Sequence, residues 1–143
     1  MPTIAALRQS LERASLDAKE LLLASAASKS RDHYFAKGQL GDSGRGAVYA
    51  YFASDGSALY VGETGRPIKH RMHDQTSPHK DAEWWSIWTT VRFLQVPHRT
   101  DRLSLELLLI LALKPTFNSK PGSREFAAMF SDESSPQRSP SGP

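Results

Sequence analysis

Gly46-Ala47-Val48-Tyr49-Ala50-Tyr51-Phe52-Ala53-Ser54-Asp55-Gly56-Ser57-Ala58-Leu59-Tyr60-Val61-Gly62 reads as a β-hairpin. Over 46–53 the apolar residues alternate with period two. Val48, Ala50 and Phe52 share one face, and Tyr49 and Tyr51 the other. The stretch 54–57 is a turn, because Asp-Gly tolerates the positive φ that tight hairpins require. The return strand covers 58–62. A hairpin of this length brings Tyr49 and Tyr60 close enough to share one site.

On the N-terminal side, Leu7, Leu11, Ala14, Ala18, Leu21 and Leu22 recur at helical spacing, which predicts a helix over about 3–29. Ser15 and Asp17 are residues at which it could divide, with Ser15 as an N-cap. Glycines at 38, 41, 44 and 46 mark a loop between helix and hairpin. On the C-terminal side, Pro67 suits the first turn of a short helix over 66–75. Alternation returns over 86–96, with Ile87, Thr89, Val91 and Phe93 on one face, and predicts a third strand. Thr100 is an N-cap candidate for a helix over 101–113 that Pro115 ends. The Ser- and Pro-rich end, from about 126 and most clearly from 131, has little to bury and is expected to be disordered. The expected fold is α+β, a small three-stranded, at least partly antiparallel sheet flanked by helices. The organisation is an N-terminal helical extension with its loop over 1–45, a core domain over 46–125 and a tail over 126–143.

A chain of 143 residues, 39% hydrophobic and 23% charged, has the composition of one globular domain with a real core. The net charge of +3 permits an anionic partner without demanding one. With no cysteine, disulfides and cysteine-ligated zinc are excluded. The oily run 103–113 is shorter than the roughly 20 residues that span a bilayer, and no signal-peptide pattern is visible. No membrane association and a cytoplasmic location are therefore expected.

Beyond the hairpin, the stretch Leu59-Tyr60-Val61-Gly62-Glu63-Thr64-Gly65-Arg66-Pro67-Ile68-Lys69-His70-Arg71 ends a strand in Tyr-Val-Gly and carries an arginine on the helix expected next. The stretch from Glu106 through Pro115 to Asn118 places a lone acid in an apolar helix, then a proline and an asparagine. In this order the pieces resemble the GIY-YIG nuclease family, from 46 to about 118, and most closely its compact stand-alone or restriction members. One departure is that Ala47, preceded by Gly46, stands at the family's first glycine. The resemblance implies a metal-dependent endonuclease that hydrolyses DNA to 5′-phosphate and 3′-hydroxyl ends. It also implies catalytic Tyr49, Tyr60, Arg71 and Glu106, with Glu106 holding Mg²⁺ or Mn²⁺. DNA is favoured over RNA by that analogy alone.

The chemistry of these residue types agrees. Phosphodiester hydrolysis needs an activated water, positive charge on the phosphoryl oxygens and help for the leaving oxygen. Mg²⁺ takes oxygen ligands, often only one or two carboxylates, and keeps its waters. Arginine grips phosphate through two parallel hydrogen bonds, which lysine cannot. A tyrosine with its ordinary pKa near ~10 would need neighbouring positive charge to serve as a base. Arg66, Lys69, His70, Arg71, His73, His79 and Lys80 form the densest basic strip, which Arg99 and Arg102 extend. Of these, Arg66, Lys69, His70, His73 and Lys80, together with Asn118, are the expected nucleic-acid contacts. Taken singly, each residue also has a plain reading. The tyrosines read as cross-strand aromatics, Arg71 as a solvated charge, and Glu106 as part of a wet helix stripe with Arg102. Asn118 reads as a turn residue, and Trp84, Trp85 and Trp88 as core. A catalytically silent nucleic-acid-binding module and a protein-interaction module are the other function classes. The N-terminal helix reads equally as a wrap for the domain, a clamp on DNA or a surface that pairs with a second copy.

Overall fold

The computed structural model describes residues 1–31, 45–68, 71 and 77–118. Among them are a helix α1 (Ile4–Ser25), strands β1 (Ala27–Ser30), β2 (Ala47–Phe52), β3 (Ala58–Thr64) and β4 (Thr90–Gln95), and a helix α2 (Arg99–Leu113). The strands form one antiparallel sheet in the order β1-β4-β2-β3. The fold is α+β, as expected, but the sheet has four strands rather than three.

The hairpin is the one read from the sequence. Tyr49 pairs with Gly62 and Tyr51 with Tyr60. Gly56 has φ +88°, and the Asp55 carboxylate accepts hydrogen bonds from the backbone N–H and hydroxyl of Ser57. β2 is one of the two inner strands and every residue in it is buried, because its two faces serve two cores. Val48, Ala50 and Phe52 pack with Val61, Leu109, Ile110, Ala18 and Leu22 beneath the two helices. Tyr49 and Tyr51 pack on the opposite face with Trp84, Trp85, Trp88, Ile68 and Phe93.

α1 does not divide at Ser15. That hydroxyl is buried and donates to the carbonyl of Glu12 at 2.7 Å, so the backbone need not break to satisfy it. Thr3 caps the helix by accepting from the Ala6 N–H at 3.0 Å. The helix ends at Ala26, which is extended. Arg92 donates to the Leu23 carbonyl there, a cation placed at the negative helix end. Leu22 is completely buried against the sheet. A leucine so placed contributes roughly 1.5–3 kcal/mol, so the N-terminal extension is part of the core.

Strand β1 falls within stretches expected to be helix and loop. Ala27-Ser28-Lys29-Ser30 has neither alternation nor β-branched residues, and its pairing with β4 is a long-range event. The ladder continues as the Arg31 N–H donates to Thr89, while the Arg31 guanidinium lies over the rings of Trp85 and Trp88 and donates to the Trp85 carbonyl. β4 begins at Thr90, later than the alternation suggests. Residues 77–87 instead run through successive turns, with backbone bonds from 80 to 77, 82 to 79, 85 to 82 and 87 to 84. These turns press Trp84 and Trp88 onto the Tyr51 ring, each with centroids 4.9 Å apart, and leave Ile87 exposed at 49%. The tryptophans are core.

The N-cap position of α2 is His98 rather than Thr100, and its side chain makes no capping bond. It ends where Lys114 turns left-handed at φ 51° ahead of Pro115. The chain then covers the free edge of β3. Thr116 and Phe117 donate to the carbonyls of Ala58 and Leu59, which shields an edge that would otherwise invite pairing. The helix expected over 66–75 lies mostly outside the described residues, as do the loop over 32–44 and the C-terminal tail. Among the described residues, no helix is long and apolar enough to cross a membrane.

Candidate active site

The site lies on the aromatic face of the sheet. Tyr49 projects from the middle of β2 and is 1% exposed. Its hydroxyl and the Nε2 of His79 are 2.7 Å apart. Tyr60, half-buried on β3, completes the group. Its ring centroid lies 6.5 Å from that of Tyr49 and 4.7 Å from that of His79, and Trp84 stacks on it at 5.1 Å and 14°. The turn beginning at Ser77 holds His79, whose backbone N–H donates to the Ser77 hydroxyl.

The glycine of Tyr-Val-Gly has a steric reason. A Cβ at position 62 would lie 2.5 Å from the Tyr49 hydroxyl oxygen and 2.9 Å from Cε2 of Tyr60. The Tyr49 ring therefore occupies the space above the glycine that its register places opposite. Gly62→Ala is expected to push the phenol away from His79 and to destabilise the fold by about 1–3 kcal/mol through overpacking. Thermal melts and the His79 ring resonances check this. Wild-type His79 shifts in the variant would contradict it.

Arg71 reaches the site through its backbone. Its carbonyl accepts from the Tyr51 hydroxyl at 2.9 Å, and its N–H donates to Ile68. Tyr51, placed by the alternation on the same face as Tyr49, thus anchors the arginine. The charges of Arg71 and Glu106 are both felt at both phenols. Burial pushes the Tyr49 pKa well above the ordinary tyrosine range. Arg71 opposes that shift, while Tyr60, Glu106 and Glu63 add to it. Tyr60 is raised for the same reasons, burial first and Glu106 second, against Arg71. Burial, with help from Arg71, lowers His79 to about 4. Arg71 alone therefore does not make Tyr49 a ready base. The structure supplies a neutral imidazole in contact with it instead.

Of the expected catalytic residues, Tyr49 and Tyr60 share the aromatic face, and the charges of Arg71 and Glu106 reach both phenols. The expected nucleic-acid contacts divide. Arg66 and Lys80 are exposed, whereas Lys69, His70 and His73 lie outside the described residues. Asn118 is 5% exposed, and its side-chain amide is engaged with Val61, accepting from its N–H and donating to its carbonyl, each at 2.8 Å. It braces β3 with one donor and one acceptor of its amide. Arg102 does not extend the basic surface either. It is 8% exposed and bonded to Glu63 at 2.8 Å. His79 as the partner of Tyr49 is absent from the sequence reading, where it was one cation in a basic strip. No local spacing links it to Tyr49, and only the turns after Ser77 bring it back.

Among the described residues, no three His, Cys, Asp or Glu side chains gather as a ready metal cluster. No family model, curated protein or solved structure matches the chain.

Proposed function

We propose that this protein is a GIY-YIG-like, divalent-metal-dependent endonuclease that hydrolyses phosphodiester bonds in DNA and leaves 5′-phosphate and 3′-hydroxyl ends. The observation that supports the reading is the grouping of Tyr49, Tyr60 and His79 on one sheet face, within reach of the charges of Arg71 and Glu106. Arg71 and Glu106 both act electrostatically on Tyr49 and Tyr60, which share one sheet face with a neutral histidine.

The residues fit a metal held through a single protein carboxylate. Glu63, the other acid whose charge reaches Tyr49, is occupied by Arg102. Half-buried Glu106 is the carboxylate that would hold Mg²⁺ or Mn²⁺, and a single carboxylate suits a cation reluctant to shed its waters. When bound, the metal supplies positive charge to the phosphate and lowers the pKa of water. Tyr49 takes a proton from the attacking water at its hydroxyl oxygen while passing its own to Nε2 of His79, in the tautomer protonated on Nδ1. Arg71 binds the phosphoryl oxygens bidentately, and Tyr60 orients the phosphate by donating a hydrogen bond. Exposed Arg66 and Lys80 extend positive charge along the backbone path.

The test is incubation with supercoiled plasmid, branched DNA and RNA, each in Mg²⁺, Mn²⁺ or chelator. Ligatable nicks in DNA that vanish with chelator are expected, and intact substrates under every condition would overturn the reading. Arg71→Lys is expected to slow cleavage by about 10²–10³-fold, the range for losing a transition-state donor, with a smaller loss in a gel-shift titration. An equal loss in both assays would make Arg71 a binding residue only.

A further inference from the structure

The guanidinium of Arg102 stands where four strand and helix ends converge. Its Nε donates to Glu63 near the end of β3 at 2.8 Å. One terminal nitrogen donates to the carbonyls of Val96 and Pro97, just past β4, at 3.1 and 2.7 Å. The same nitrogen comes so close to Gly46, at the start of β2, that a Cβ there would lie 2.9 Å from it. At Gly65 a Cβ would lie 3.3 Å from the other terminal nitrogen. Two glycines thus leave room for one buried cation. Arg102 belongs to the first turn of α2, and Glu106 follows four residues later on the same helix face. Fixing the guanidinium against β3 and β4 fixes the rotation and depth of that face.

We propose that the Arg102–Glu63 pair positions Glu106, locking α2 in the register that presents that carboxylate to a divalent cation bound at the tyrosine site. Arg102 and Glu63 are positioning residues and touch neither metal nor substrate. The physical motive is that a buried ion pair is weak evidence for stability and is best attested where it sets register. Residues that orient a ligating carboxylate tune affinity for the metal. The inference rests on the nuclease reading above.

Charge arithmetic separates positioning from simple electrostatics. Glu63→Gln removes a negative charge near the site and would weaken cation binding on electrostatic grounds alone. The double variant Glu63→Gln/Arg102→Met removes one charge of each sign, so electrostatics alone predicts little change. Positioning predicts weakening in both. Removing both partners also avoids stranding one buried ion, which is the destabilising case. The experiment titrates Mn²⁺ into the full chain and follows paramagnetic broadening of the Tyr49 and Tyr60 ring signals. Thermal melts and the Mg²⁺ dependence of single-turnover cleavage run alongside.

Half-saturating Mn²⁺ is expected to rise about 10–100-fold in both variants, the range for losing groups that support a metal ligand. Cleavage at saturating Mg²⁺ should stay within roughly threefold of wild type, the pattern of lost binding without lost chemistry. A lower melting temperature with an unchanged Mn²⁺ midpoint in the double variant would make the pair merely structural and overturn the proposal. Should the double variant fail to fold, Arg102→Lys decides, since it keeps both charges and loses the planar fork that spans Glu63, Val96 and Pro97. An unchanged midpoint there has the same meaning. Wild-type protein that neither cleaves DNA nor shows broadening at the two tyrosines would sink the nuclease reading, and the positioning role with it. Wild-type activity and broadening with unaltered variants would sink the positioning role alone.

Discussion

Glu106→Gln is expected to abolish metal-dependent cleavage of DNA while leaving the fold intact. Glutamine keeps the shape of the side chain and one carbonyl oxygen but removes the charge that holds a hard cation. A metal supplies several kcal/mol of transition-state stabilisation, so the single-turnover rate should drop by about 10³-fold or more. The direction is informative because Glu106 raises the pKa of both Tyr49 and Tyr60. If phenol ionisation alone limited the reaction, removing that charge would help it. A loss therefore points to the metal, and a wild-type or faster rate in Mg²⁺ would refute the assignment. Circular dichroism and thermal melts establish that the variant is folded.

Tyr49→Phe is expected to slow single-turnover cleavage by at least about 10²-fold, the lower bound for a general base. The phenyl ring still fills the space over Gly62. The loss of the hydroxyl leaves Nε2 of His79 without its 2.7 Å partner, at a stability cost of about 1–3 kcal/mol. The pH profile should change in a definite way. Burial raises Tyr49, so the phenol brings no alkaline limb between neutrality and its ordinary range. His79, lowered to about 4, accepts a proton only when neutral. The wild-type rate should therefore fall as pH drops through about 4, and Tyr49→Phe should lose that limb. The same shift acts on stability. Between about 4 and 6.5 the unfolded chain carries the His79 proton and the folded chain does not, so this histidine makes stability rise with pH across that window. Tyr60→Phe should cost less than Tyr49→Phe. A Tyr49→Phe rate near wild type would move the base role to another group.

Much of the frame is local and could be read in advance. The hairpin follows from alternation and an Asp-Gly turn, and the two helices from apolar spacing. Those signals repeat within a few residues, so they survive without knowledge of the rest of the chain. What failed did so where distant contacts decide. Ser28 and Lys29 become a strand only because β4 offers an edge and Arg31 grips Trp85 and Trp88. Ile87 alternates like a strand residue, yet the turns from Ser77 to Ile87 place Trp84, Trp85 and Trp88 against Tyr51 and leave it in water.

The candidate site divides along the same line. The sequence by itself determined which groups are present, namely two tyrosines on one hairpin, an arginine beyond Tyr-Val-Gly and one carboxylate in an apolar helix. It also determined that Tyr49 and Tyr60 are neighbours, since a tight hairpin leaves them nowhere else to go. Only the tertiary structure decided what each group meets. It paired Tyr49 with His79, committed the Asn118 amide to Val61 and turned Arg102 inward to Glu63. The reason is that a buried polar group must find a partner wherever packing brings one, and packing is set by the whole core rather than by neighbours in the chain. The same packing sets protonation, because burial outweighs the charge of Arg71 at Tyr49 and holds His79 neutral.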